Sequence, residues 1–339
     1  MRDHLLNLQL FTDGEVNPNP NPNVQTTLLT GEGNSLAAEM KVFYNKTLID
    51  YAEPALVHDQ FADKYNIPAN GGKTIEFRKY DSLDKALTPL EEGVTPDGDS
   101  LNVTTIQATV DQYGNYITVS DMLKMTAIDN NIVQSLKLLG SQAGRTMDTI
   151  TRDVLAGGTN VIRVGARESR KDLTSEDTLK PLNFFQAAAQ LEAMNAPKID
   201  GSYVAIIHPY AAFDVMTSEG WVDAVKYSSA TQIFEGEIGK IGNVRFVQSS
   251  EAKIWKDETC PTGLAVFGTI VVGANAYATT EVEGGGLETI VKQLGAGDDP
   301  LNQRATVGWK GTKVSERLVE QYMVRIESTS AYSGTVKAN

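Results

Sequence analysis

Apolar residues at Ile132, Leu136, Leu139, Ala143, Met147, Ile150 and Val154 step by 4, 3, 4, 4, 3 and 4. That spacing is one face of a 3.6-residue period and predicts an uninterrupted amphipathic helix over 129–156. Asp129 is a natural N-cap, and Gly157–Gly158 a natural stop. The opposite face reads as polar: Gln134, Lys137, Ser141, Arg145, Asp148 and Arg152. Asp148 and Arg152 form an i,i+4 pair with the acid first, worth about 0.3 kcal/mol. At about 1.5 Å per residue the helix spans roughly 40 Å, well beyond the mean globular helix of about 11–12 residues.

Upstream the period drops to two. Ile75 and Phe77 share one face of a first strand, and Ile106, Ala108 and Val110 one face of a returning strand. Ile117 and Val119 resume the alternation after Gly114, which predicts a two-stranded arm over 71–120. The stretch Asp81–Asn102 between the strands is polar and broken by Pro89, Gly93, Pro96 and Gly98. A lone ribbon is marginal in water and needs a surface to pack on. In a monomer this arm has no evident partner; in a shell the next subunit supplies one.

Around this pair the pattern is mixed. Asn17–Asn23 (NPNPNPN) is an extended linker, since proline at every second position excludes helix and interior strand. Residues 1–35 therefore read as an arm carrying a short apolar anchor. Ser35–Glu53 reads as a helix with Leu36, Met40, Phe43, Thr47 and Tyr51 on one face, ended by Pro54. Arg163–Asp177 reads as a charged loop, and Pro181–Asn195 as a helix with Leu182, Phe185, Ala189 and Met194 roughly aligned. Tyr203–His208 is a strand of the fully buried type, and Pro209 opens a short helix to Met216. Strands are expected at 244–249, 264–267, 269–272, 276–281, 288–293, 304–310 and 322–327, followed by a frayed polar tail, Ser328–Asn339. No internal repeat is visible. The order is α+β rather than a strict βαβα alternation.

Composition narrows the function classes. At 339 residues, two or three subdomains are expected. A net charge of −13 opposes sequence-independent nucleic-acid binding, which rests on Lys and Arg neutralising phosphates. It does not oppose enclosing nucleic acid without gripping it. The single cysteine, Cys260, permits no intrachain disulfide and fits folding in a reducing cytoplasm; it reads as a small residue in the turn before Pro261. Leu5–Phe11 (LLNLQLF) is too short and too polar to span a membrane and lacks the flanks of a signal peptide. A soluble protein without a recognisable export route is expected.

Candidate chemistry is thin. Gly71-Gly72-Lys73-Thr74 has the tail of a phosphate-binding loop, but Ile67 stands where its first glycine belongs and a strand follows instead of a helix. His4, His58 and His208 show no metal-ligand spacing, and His208 reads as a histidine at a strand end. No G-x-S-x-G elbow occurs. Asp97-Gly98-Asp99 and Asp298-Asp299 lack the spacing of a calcium loop and read as solvated acidic turns. No catalytic residue, cofactor site or metal site is expected.

Several stretches carry a family resemblance: AEMKVFYNKTLIDYAEPALVHDQFAD (38–63), NGGKTIEFRKYDSLDKALTPLEEGVTPDG (70–98), DNNIVQSLKLLGSQAGRTMDTITRDVLAGGTNV (129–161), YVAIIHPYAAFDVM (203–216) and GKIGNVRFVQSSEAKI (239–254). The chain resembles the N4-gp56 family of tailed-bacteriophage major capsid proteins over roughly 36–330, and LNLQLFTD (6–13) resembles the start of many phage capsid proteins. The resemblance implies an HK97-type α+β fold. Residues 1–60 would be the N-terminal arm and 61–120 the E-loop hairpin with its flanks. Residues 121–177 would be the P domain with spine helix 129–156, 178–275 mainly the A domain, and 276–339 the strands returning to the P domain plus the tail. It further implies hexamers and pentamers closing an icosahedral shell around double-stranded DNA without specific binding. Decoration, scaffold and portal proteins are the further partners such a head can take. Location would be the virion capsid, assembled in the host cytoplasm, with no membrane involved.

On that reading Leu8, Leu10 and Phe11 of the anchor and Ile75, Phe77 and Ile106 of the arm are the candidate intersubunit contacts. Packing within their own subunit is the competing account. Two rival classes are a cytosolic enzyme of unrecognised type and a phage tail or adhesion module. The scattered histidines oppose the first. The long helix, single hairpin and missing repeats oppose the second.

Overall fold

A computed structural model describes residues 24–25 and 57–339, apart from 69, 81–82, 84, 88, 90–91, 94, 96–97, 127–130, 219–220, 222–238, 284 and 296–298; of residues 24–25, 131–133 and 136 it describes the backbone. In chain order the elements are β1 (Val24–Gln25), β2 (Asp63–Ile67), β3 (Thr74–Tyr80), β4 (Val103–Thr109), β5 (Asp111–Ser120), α1 (Asp121–Thr126), α2 (Asn131–Ala156) and β6 (Val161–Arg163). There follow α3 (Pro181–Ala193), β7 (Tyr203–Ile207), α4 (Pro209–Thr217), β8 (Lys240–Ile241), β9 (Val244–Gln248), β10 (Ile254–Trp255) and β11 (Val266–Val272). The last strands are β12 (Tyr277–Val282), β13 (Glu288–Lys292), β14 (Arg304–Arg317) and β15 (Met323–Ser328). The helix expected at Ser35–Glu53, the linker, the anchor and the Asp129 cap lie outside the described residues.

The chain divides into two compact units. The larger comprises 53–113, 143–286 and 311–339. Its main sheet runs β6-β15-β11-β7-β9-β8, with β10 added on β11. Strand β7 explains the architecture. All five of its residues are buried, because alternate side chains serve two cores. Tyr203, Ala205 and Ile207 pack with Phe184, Ala187 and Leu191 of α3 and Ala211, Ala212 and Val215 of α4. Val204 and Ile206 pack on the other side with Leu155 of α2, Ile270, Val272 and Met323. Each large aliphatic or aromatic side chain fully buried this way contributes about 2–3 kcal/mol of apolar transfer. The same unit holds β2 parallel to β12, and β12 antiparallel to the Val314–Arg317 end of β14.

In the smaller unit β1 runs parallel to β5 at Thr118–Val119, and β13 pairs antiparallel with the Thr306–Lys310 stretch of β14. Val119, Leu123, Leu139, Ala305, Val307 and Trp309 are buried. Gln142 Oε1 accepts from Trp309 Nε1 at 3.3 Å and from Asn115 Nδ2 at 3.1 Å.

Six expectations need correction. Strand β11 runs unbroken through Gly268, and on α3 Leu182 and Phe185 are exposed while Phe184, Ala187 and Leu191 are buried. The other four concern the ribbon, α2, the charged loop and the tail. First, the ribbon is shorter than 71–120. It ends at Thr109, and β5 runs unbroken through Gly114. Glycine is needed there because a Cβ would stand 2.7 Å from the carbonyl oxygen of Trp309. Second, the polar face of α2 is not solvated along its length: Asp148 and Arg152 are each 2% exposed. They do not pair with each other. Asp148 Oδ1 accepts from the His58 backbone N–H at 2.8 Å, and its Oδ2 lies 2.7 Å from His58 Nδ1. Arg152 donates to the Glu251 carbonyl at 2.9 Å and to the Asp153 carboxylate. Third, the charged loop 163–177 is packed, with Leu173 and Asp177 buried and Asp177 paired to Arg167 at 3.0 Å. Fourth, the tail is docked. Ser328, Thr329, Ser330 and Ser333 are buried, and the Asn339 side chain accepts from Ile254 N–H and donates to the Ala252 carbonyl. Serines and threonines read as solvent-facing unless backbone partners absorb their hydroxyls, as they do here for Thr329, Ser330 and Ser333.

Candidate interaction surface

The arm is built by register. Strands β3 and β4 pair antiparallel, placing Ile75 opposite Ala108, Phe77 opposite Ile106 and Tyr80 opposite Val103. Among the described residues the two strands form a sheet of their own. Ile75, Phe77 and Ile106 thus share one face, as alternation requires, and all three stay half-buried. At the root Ala108 is buried and Phe77 meets Tyr65 of β2 edge to face, ring centres 5.3 Å apart. The other face is polar. Glu76 accepts from Arg78 at 3.1 Å and from Gln107 at 3.4 Å, and the Arg78 bond holds its carboxyl below the ordinary glutamate range. Beyond the root, Tyr80, Leu83, Leu87, Leu101 and Val103 are exposed, Leu87 at 82%. These apolar side chains are accessible in the single chain; by register Tyr80 and Val103 stand on the face of Glu76 and Arg78.

The entrance to the ribbon settles the GGKT motif. Asn70 and Gly72 take positive φ, 66° and 86°, and the Gly71 N–H donates to the Pro68 carbonyl at 2.9 Å. The turn feeds β3, so no helix N-terminus faces its backbone N–H groups. Leu8, Leu10 and Phe11 lie outside the described residues.

Other candidate groups have structural partners. His208 sits at the end of β7 and caps α4, its Nδ1 accepting from Tyr210 N–H at 3.1 Å. Burial lowers its pKa to about 4. Cys260 is buried, its N–H bonded to the Asp257 carbonyl, and burial pushes its thiol up. Among the described residues no three of His, Cys, Asp and Glu gather around one point, and no helix is long and apolar enough to cross a membrane.

Two polar knots escaped the sequence reading. In one, Asp59 accepts from Thr151 Oγ1 at 2.5 Å and pairs with Lys313, whose ammonium also donates to the Met147 carbonyl at 2.9 Å. Tyr277 OH donates to the His58 carbonyl at 2.5 Å, and burial drives its phenol upward. This knot fastens the segment that leads into β2 to α2 and β14. In the other, fully buried Glu327 accepts from Arg163 Nε at 3.1 Å, from Arg170 at 2.5 Å and from Arg325 at 3.0 Å. Arg170 lies over the Trp255 ring at 4.0 Å, and Arg325 also donates to the Gly158 carbonyl beyond the C-terminus of α2. Despite its burial the Glu327 carboxyl is held below the glutamate range by hydrogen bonds and charges of these arginines. Partners up to 254 residues apart leave no local signal.

No family model matches the chain, and no curated protein does. Solved structures do. The capsid of Ralstonia phage GP4 aligns with a TM-score of 0.67 at 15% identity, over 86% of this chain and 95% of that one. The capsid of cyanophage P-SCSP1u aligns at 0.66 and 15%, over 93% and 100%. A Mycobacterium phage Che8 chain aligns at 0.61 and 13%, over 84% and 96%. At such identities the likeness concerns the backbone, over 84–93% of this chain and 95–100% of those. The chain has the α+β, HK97-type fold of phage capsid subunits.

Proposed function

We propose that this chain is the major capsid protein of a tailed bacteriophage, of the N4-gp56 type, and not an enzyme. The observation that carries the reading is end-to-end likeness: the aligned capsid chains are covered over 95–100% of their length. The ribbon supports it as an element whose apolar strip, Ile75, Phe77 and Ile106, is incompletely covered by its own subunit. On this reading 1–60 is the N-terminal arm, 61–120 the E-loop region, 121–177 the P domain, 178–275 mainly the A domain and 276–339 the return to the P domain. Hexamers and pentamers close the shell through many weak interfaces, and Leu8, Leu10 and Phe11 add contacts from the arm. Double-stranded DNA is enclosed without specific binding, in keeping with the net charge of −13. Scaffold, portal and decoration proteins and assembly in the host cytoplasm belong to the same reading.

Negative-stain microscopy and size exclusion of the purified chain test it. Shells, tubes or discrete hexamers are expected, and a stable small monomer with an ordered hairpin sinks the proposal. Phe77→Ser, or deletion of 81–102, should leave a subunit with unchanged circular dichroism that no longer closes shells. Unfolding of either variant would assign the strip to cis packing.

A further inference from the structure

A lysine lies inside the larger unit. Lys313 of β14 is 7% exposed, and its Nζ rests against Asp59 Oδ2 on the segment before β2. The Asp59 side chain is itself 20% exposed. Burial lowers the pKa of the lysine amine, against the pull of the Asp59, Asp148 and Glu281 carboxylates.

The hydrogen bonds around this pair have the pattern of a secondary amide. Asp59 Oδ1 accepts from Thr151 Oγ1 at 2.5 Å, and that hydroxyl is bridged to Ser315 Oγ at 2.8 Å. On the other side the Met147 carbonyl accepts from Lys313 Nζ at 2.9 Å. An ammonium has three N–H groups to place. The bonds to Asp59 and Met147 serve two of them. An amide joining Nζ to the Asp59 carboxyl carbon has a single C=O and a single N–H. Thr151 stands ready to donate to the first, and Met147 to accept from the second.

We propose that Lys313 and Asp59 condense to an isopeptide bond within the folded subunit. Proton transfer from the ammonium to the carboxylate gives the neutral amine and carboxylic acid, the forms that a buried site favours. The amine nitrogen attacks the Asp59 carboxyl carbon and the N–C bond forms. The C–Oδ2 bond breaks, and Oδ2 leaves as water with the carboxyl proton and one proton from the nitrogen. Nothing is oxidised or reduced, and no co-reactant is consumed. Contact fixed by the fold replaces a chance encounter of the two groups, the gain on which intramolecular reactions draw. The product ties together positions 254 residues apart and fastens the segment leading into β2 to β14 beside α2. It forms within one subunit, so it does not depend on the shell reading.

Mass spectrometry of the purified full-length chain tests it. The intact mass should fall short of the sequence mass by one water. In a tryptic digest the acylated Lys313 resists cleavage, so residues 47–64 and 311–317 should appear as one branched peptide, read by tandem fragmentation. Lys313→Met keeps the side-chain stem without the amine and should restore the lost water. A wild-type mass equal to that of the sequence overturns the proposal. A loss of water that maps to another site, such as the Asp200-Gly201 turn, or that survives in Lys313→Met, overturns it as well. The branched wild-type peptide decides even where Lys313→Met does not fold: its presence establishes the bond, and its absence removes it.

Discussion

His58 and Asp148 show how a single pairing is specified here. Both are buried, 90 residues apart, joined through the His58 backbone and ring at 2.8 and 2.7 Å. Removing one partner leaves the other desolvated without compensation. Asp148→Ala should cost about 3 kcal/mol in urea unfolding of the subunit, whereas Arg145→Ala at an exposed position of the same helix should stay within about 0.5 kcal/mol. Equal losses at the two sites would contradict this account. His208 sets a pH dependence. Burial lowers its folded pKa to about 4, and its Nδ1 must stay unprotonated to accept from Tyr210. The unfolded imidazole, near the ordinary 6.5, therefore binds a proton that the folded one refuses. Stability should fall as pH drops from about 6.5 towards about 4, by up to ~3 kcal/mol, and then level off in this contribution. Denaturation midpoints across that window should be flatter for His208→Asn, which can cap α4 without titrating. An unchanged slope would remove His208 as the cause.

Elements were legible where one periodicity governed them. The spans of Tyr203–Ile207, the helix after Pro181 and the strand from Glu288 follow from apolar runs and proline, but the face of that helix does not: Leu182 and Phe185 are exposed, and Phe184, Ala187 and Leu191 fill the core. The expected break between 264–267 and 269–272 does not exist. Gly268 sits inside β11 because a Cβ there would press into the Trp255 ring at 2.5 Å, a close approach that looks like a strand end in sequence. The buried end of α2 was misread for the opposite reason: Asp148, Thr151 and Arg152 carry polar labels, and their partners come from distant segments. The ribbon strip Ile75, Phe77 and Ile106 was readable from alternation, but its cover was not: among the described residues Tyr65 meets Phe77, and all three stay half-buried. The tail makes a prediction of its own. Ser333 accepts from Ala265 N–H at 3.0 Å, Lys256 donates to the Val336 carbonyl at 2.8 Å, and Asn339 engages Ala252 and Ile254. Deleting 331–339 should lower the unfolding free energy by about 2–4 kcal/mol, several lost hydrogen bonds at about 1 kcal/mol each. Limited proteolysis of the full chain should spare this segment; early cleavage within it would show the docking to be loose.

For the whole molecule, 43 acidic against 30 basic residues give each copy a charge of −13. Bringing many such copies together is opposed by long-range repulsion that salt screens, with a Debye length of about 10 Å at 0.1 M. On the proposed shell reading, the critical concentration for assembly should therefore fall as salt rises from about 0.05 to about 0.5 M, read by light scattering. A rise would mean that pairs of opposite charge across the interfaces outweigh the net term. The docked tail bears on use of the chain as a carrier. Lys253 holds the backbone oxygen of Asn339, and the side chain of that residue closes two further bonds. Cargo joined directly there would load β10 and its pairing with β11, so on the proposed shell reading a guest peptide needs a slack glycine-serine spacer.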